Sequence, residues 1–182
     1  MNEKLKTISF FVCCFFVYCV IGWGYEVIWE AIIGNGFVNK GFLYGGYLPI
    51  YGFGTLILYF MLRNLQAKKI KVFNINITPI LVFVSIFFIA SSIEYAVSWI
   101  MEILFNQRWW DYSSDILNIN GRVSVRNSLL LTTGAMAFLY GVQPLLNKLL
   151  IKIKSNILNI LAFIIIVVMS GDLILTILKY IQ

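Results

Sequence analysis

The sequence predicts an all-α fold, a polytopic transmembrane helix bundle of about five spans with a re-entrant glycine- and aromatic-rich segment after the first span. Three observations carry this prediction. Hydrophobic residues make up 60% of the chain and charged residues 12%, against roughly 25% charge in an ordinary soluble domain. Mean hydropathy is +0.87. The apolar residues fall in runs close to the ~20 residues that a hydrocarbon core of about 30 Å demands, with short polar or basic intervals between them.

One integral membrane domain is therefore expected over residues 1–182, with spans near 7–33, 49–62, 79–104, 125–146 and 157–178. The first run begins after Lys4 and Lys6 and is longer than an upright crossing needs, so its end should tilt or protrude. It lacks a small-residue cleavage signature and is read as retained. Cys13, Cys14 and Cys19 lie inside it, match no metal or redox spacing, and are read as reduced packing residues.

A glycine- and aromatic-rich interval follows, from Gly34 to Gly54. Its glycines, Gly41, Gly52 and Gly54 among them, permit turns and backbone nests, and Pro49 suits the first turn of a second helix. The part before Pro49 is expected to dip into the membrane where protein or water covers it. Arg63, Lys68, Lys69 and Lys71 mark a basic loop, and Pro79 opens the third span. In the fourth span Thr132, Thr133, Gly134 and Gly141 offer small-residue packing surfaces, and Pro144 is placed to kink its end. The fifth is apolar apart from Asp172.

The net charge of +6 argues for orientation rather than for nucleic acid. Nine of the 14 Lys and Arg residues lie in the amino terminus and the 63–71 and 148–154 loops, and five lie elsewhere. The positive-inside rule then puts the N-terminus in the cytoplasm, and five spans put the C-terminus and both aromatic connectors outside.

Chemistry concentrates in those connectors. Glu26, Glu30, Glu94 and Glu102 sit toward the outer ends of the first and third spans, where the helix dipole disfavours them and ionisable groups are costly. Lys40, Arg108, Arg122 and Arg126 are the cations that can offset them, either as internal ion pairs or as an anion site. Four apart, Arg122 and Arg126 are expected on one helical face. Trp109, Trp110 and Tyr112 read as interface aromatics or as a wall over a cleft, with Asp111 beside them and Asn120-Gly121 as a turn. The two connectors also suggest a weak internal duplication.

The chain has no histidine, and no phosphate-loop lysine motif, zinc-ligand cluster, serine elbow or CxxC. No catalytic residue, metal or cofactor is expected. ATP-driven work would need a separate ATPase subunit.

Several ordered motifs resemble those of a known family. They are Trp23 to Glu26, Asn39-Lys40-Gly41-Phe42-Leu43-Tyr44-Gly45, Leu48-Pro49-Ile50-Tyr51-Gly52-Phe53-Gly54, Glu94-Tyr95, Trp109-Trp110-Asp111-Tyr112-Ser113 and Asn118-Ile119-Asn120-Gly121-Arg122. Over roughly Gly22 to Pro144 the chain is similar to the bacterial ABC-transporter type IV, or CmpB-like, membrane proteins. Lys40 and Gly46 depart from the arginine and proline usual there. The resemblance implies a permease-like component of a bacterial cell membrane, surrounded by lipid, with an ATPase partner and a homo-oligomer both open. A lipid-headgroup binding protein or enzyme, and a non-catalytic structural or regulatory subunit, are the alternative readings.

Overall fold

The computed structural model describes residues 3–32, 34–37, 39, 41–106, 108 and 110–181. It is 74% helical. In chain order come α1 (Glu3–Ile32), α2 (Pro49–Gln66), β1 (Lys71–Val72), β2 (Ile75–Asn76), α3 (Thr78–Phe105), β3 (Asn118–Ile119), β4 (Val123–Ser124), α4 (Val125–Ala137), a π-helical turn (Phe138–Val142), α5 (Gln143–Leu150) and α6 (Ser155–Ile181). This is the all-α membrane bundle the sequence predicts.

Among the described residues, four helical stretches are long and apolar enough to cross a membrane: Glu3–Ile32, Thr78–Leu104, Val125–Leu150 and Ser155–Lys179. Where a span was expected over 49–62 the chain forms a helix, α2, which begins at Pro49 and extends past Arg63 to Gln66 but is not one of those four. At Pro144 the helix does not break. Proline offers no amide to the carbonyl of Tyr140, and a π-helical turn, Phe138–Val142, lies just before it, one of the local adjustments by which membrane helices accommodate proline.

Two short antiparallel hairpins, β1–β2 and β3–β4, were not expected from the sequence. They also separate the two connectors that suggested a duplication: residues 106–124 close on a hairpin, whereas among the described residues 34–48 form bends and no strand.

The chain divides into two compact units, one made of Met1–Leu56 and Val142–Gln182, the other of Ile57–Gly141. In the first, α1 and α6 pack together through Cys13, Leu158 and Ala162, with Phe10 and Ile165 against them. Cys19, Leu43 and Tyr47 form a second cluster. All three cysteines are buried free thiols, acting as the small apolar packing residues the sequence predicts. The amide of Leu48 donates to the carbonyl of Cys19 at 3.0 Å. Cys19 lies 13 residues before the end of α1, about 20 Å at ~1.5 Å per residue. The connector thus folds back along α1.

In the second unit Leu58 and Leu62 of α2 meet Val82, Ile86 and Ala90 of α3, with Leu139 completing the core. α3 and α4 are joined by a hydrogen bond from the Ser91 to the Ser128 hydroxyl, 2.8 Å. Small residues allow this approach: Thr132, as expected, and Ser128 are both buried. Thr133, Gly134 and Gly141, expected to serve the same purpose, are exposed.

Candidate functional site

Glu94, Ser98 and Glu102 recur every four residues on α3 and so share one face. The connector after α3 turns back over that face. The β3–β4 hairpin pairs Asn118 with Ser124 and Ile119 with Val123, and its turn delivers Arg122, which is only 8% exposed.

Arg122 Nη2 pairs with Glu102 Oε2, its Nη1 donates to Ser98 Oγ at 3.3 Å, and its guanidinium lies 5.8 Å from the centre of the Tyr95 ring. Arg108 Nε donates to the other oxygen, Glu102 Oε1, at 3.0 Å, while its Nη1 reaches the carbonyl of Asn120 at 3.3 Å. Each oxygen of Glu102 therefore has its own arginine. The indole of Trp110 donates to the Arg122 carbonyl at 3.0 Å, and Asn120 Nδ2 donates to Tyr95 at 2.9 Å.

Glu94 is held differently. Its Oε1 accepts from Asn127 Nδ2 at 2.8 Å and from the Tyr112 hydroxyl at 3.2 Å, both neutral donors. Its Oε2 is buried with no hydrogen-bond partner among the described residues.

Asp111 acts within the loop. Its Oδ1 accepts from the amide and the hydroxyl of Ser113, at 2.9 and 2.5 Å. Those two donors, the hydroxyl foremost, hold its carboxyl below the usual carboxylate range. Gly121 has φ +67°, and a β-carbon there would come within 2.5 Å of Asp111 Oδ1; glycine is needed on both counts. Ser124 caps α4 by accepting from the Asn127 amide at 3.2 Å and donates to Asp115 Oδ2 at 2.7 Å.

One expectation fails here. Arg122 and Arg126 do not share a helical face, because α4 starts at Val125; Arg122 belongs to the hairpin turn and Arg126 is exposed in the first turn of the helix. The cap formed by Ser124 three residues before Asn127 is the signal that locates that start.

In the first unit the Tyr51 hydroxyl donates to Glu26 at 2.5 Å, Asn35 Nδ2 to the buried Glu30 at 2.7 Å, and the Trp23 indole to Asn39 Oδ1 at 2.7 Å. Gly52 fits against α1: a β-carbon there would lie 2.6 Å from Cys19 Sγ and from the Phe15 ring. A β-carbon added at Gly54 would meet no neighbouring element within 4 Å, and Gly41 is exposed. Lys40 and Trp109 lie outside the described residues.

Asp172 of α6 takes a larger part than its position predicts. The amides of Tyr44 and Gly45 donate to its two oxygens at 3.0 and 2.9 Å, and the Tyr47 hydroxyl donates to Oδ2. Thr176 adds a contact of 3.3 Å from the next turn. Adjacent amides pointing at one anion form a nest, so the anion-binding loop read from the glycines is filled by the chain's own carboxylate. A lone acid in an apolar run was the signal.

The model of a protein family described as "Putative ABC-transporter type IV" matches residues 13–177, nearly the whole chain. The chain belongs to this family. No curated protein and no solved structure matches it. The type IV family description and the four apolar helices together make this a multi-pass membrane protein of ABC-transporter type. The family match takes in both connectors and Asp172.

Proposed function

We propose that the chain is a permease-like component of a bacterial cell-membrane transport system, with a polar site opening on the outer face and Glu94 as the carboxylate available to a substrate. The observation that carries this reading is the division of partners on α3: both arginines serve Glu102, while Glu94 keeps a buried oxygen without a donor among the described residues. A buried acceptor left unpaired is costly, and an ionisable group inside a membrane segment is a functional site by default. A donor on the substrate, cationic or neutral, would complete Glu94.

The distribution of Lys and Arg supports the orientation, with the N-terminus and the 63–71 loop inside and the 106–124 connector outside. In that arrangement α2, 18 residues long and about 27 Å at ~1.5 Å per residue, returns the chain to the inner face, and the C-terminus is outside. Glu94 lies 11 residues before the end of α3, about 16 Å below it. Energy would come from a separate ATPase subunit, consistent with the lack of a phosphate-loop motif.

Crosslinking in the native host followed by mass spectrometry should recover an ATPase subunit, and untargeted profiling of medium consumption should show compounds whose uptake stops in a deletion strain. Glu94→Gln, nearly isosteric, should reproduce the deletion profile at normal membrane abundance. Absence of both an ATPase partner and ATP-dependent uptake overturns the transport reading. Normal uptake with Glu94→Gln overturns this site and leaves Glu94 as a structural tie between α3, the connector and α4.

A further inference from the structure

Far from the charged connector in sequence, the β1–β2 hairpin carries an arrangement that the transport reading does not use. It is firmly built. Lys71 pairs with Asn76 and Val72 with Ile75, and Ile77 N donates to Ile70 O at 2.9 Å. Thr78, 2% exposed, ties its base: its hydroxyl accepts from Ile70 N at 3.0 Å and donates to Lys68 O at 2.8 Å. The Thr78 amide donates to Asn76 Oδ1 at 3.2 Å.

What this scaffold holds out is apolar. Val72 and Ile75 are a cross-strand pair on one face of the hairpin and are 44% and 66% exposed, and Phe73 at the tip is 95% exposed. The two-residue turn has φ +48° at Phe73 and +63° at Asn74, the backbone of a type I′ turn, which favours Asn, Asp or Gly at both places. Asn74 conforms. Phe73 does not, since a bulky residue at positive φ is strained. A position that asparagine would fill at lower cost thus keeps a ring that, in water, has nothing to pack against.

The charge around it is one-sided. Lys68, Lys69 and Lys71 are exposed, and no Asp or Glu occurs between Glu30 and Glu94. The hairpin runs directly into the membrane-crossing stretch Thr78–Leu104. From Phe73 to Ile77 is four residues, at most about 13 Å at ~3.3 Å each, so the tip cannot leave the neighbourhood of the bilayer surface.

We propose that this hairpin is an interfacial anchor: Val72, Phe73 and Ile75 seat among the lipid headgroups and upper acyl chains of an anionic leaflet, and Lys68, Lys69 and Lys71 meet the lipid phosphates. Aromatic rings favour that layer, and basic segments beside a span are drawn to anionic lipid. The partner is the lipid surface itself.

The test uses the full-length protein in nanodiscs of phosphatidylcholine alone or mixed with phosphatidylglycerol. A nitroxide is placed by Phe73→Cys and, separately, by Ile75→Cys; the native cysteines are buried. Collision rates with oxygen, which concentrates in lipid, and with a neutral nickel chelate, which stays in water, report depth. The oxygen-to-nickel ratio at both positions should rise several-fold in the anionic discs. It should fall back when Lys68, Lys69 and Lys71 are replaced by Gln. Phe73→Asn relieves the turn, so a purely structural role would leave the label at residue 75 unmoved; the anchor requires that label to move toward water. Nickel-accessible labels in both lipids overturn the proposal. Shielding that needs added cell extract rather than anionic lipid also overturns it and assigns the tip to a protein partner.

Discussion

Gly52 and Gly54 offer a comparison two residues apart in one helix. Alanine in place of helical glycine gains about 1 kcal/mol of propensity, and at Gly54, with nothing within 4 Å of the added carbon, that gain is the whole effect. At Gly52 the same carbon lands 2.6 Å from Cys19 Sγ and from the edge of the Phe15 ring. Cys19 is fully buried and cannot withdraw, and Phe15 is in edge contact with Phe53, ring centres 4.8 Å apart, so that shifting its ring disturbs that contact. Overpacking of this kind costs about 1–3 kcal/mol, so Gly52→Ala should be less stable than Gly54→Ala by that amount. For a chain of this size each kcal/mol moves the midpoint by about 2–4 °C, which separates the two variants by roughly 2 to 12 °C. Thermal unfolding in detergent, followed by the loss of the monodisperse peak on fluorescence-detected size exclusion, measures it. Equal midpoints for the two alanines would refute the claim that α2 is fitted to α1 at Gly52.

Asp172→Ala removes the acceptor for two backbone amides and the Tyr47 hydroxyl, whereas Asp172→Asn keeps one oxygen; limited proteolysis within residues 41–48 should be fastest for alanine, intermediate for asparagine and slowest for the native chain. Asp111 is held below its ordinary carboxylate pKa by Ser113, so its contribution to stability is present above the unfolded value and is lost as the pH falls through the lower folded one. Thermal midpoints of the native protein and Asp111→Asn should therefore differ near neutral pH and converge in acid.

The helices were legible because a bilayer imposes a plain rule on composition, and each apolar run had to be a helix to satisfy its own backbone. The acids were legible for the same reason, as exceptions to that rule. Arg108 and Arg122 were among the cations named for them, but nothing local assigned both to Glu102 and neither to Glu94. Glu102 meets Arg122 across a hairpin that closes on a two-residue ladder, too short for alternation to reveal, although Asn120-Gly121 marked its turn. The spacing of four put Arg122 on one helical face with Arg126 although the span was read from 125; the Ser124 cap fixes that start and leaves Arg122 in the turn before it. The β1–β2 turn was hidden more thoroughly, because Phe73 stands where turn chemistry asks for a small or polar residue. Asp172 was flagged as unusual, but its partners lie 127 and 128 residues earlier in the chain, a pairing that no local pattern specifies.

That separation bears on how the protein is made. The amides of Tyr44 and Gly45 emerge early, and the carboxylate that satisfies them belongs to the last helix. At about 5–20 residues per second of synthesis, the connector waits on the order of ten seconds before Asp172 exists. Until then its donors are left to solvent or lipid headgroups, and insertion of α6 is the step that fastens a segment translated 127 and 128 residues earlier.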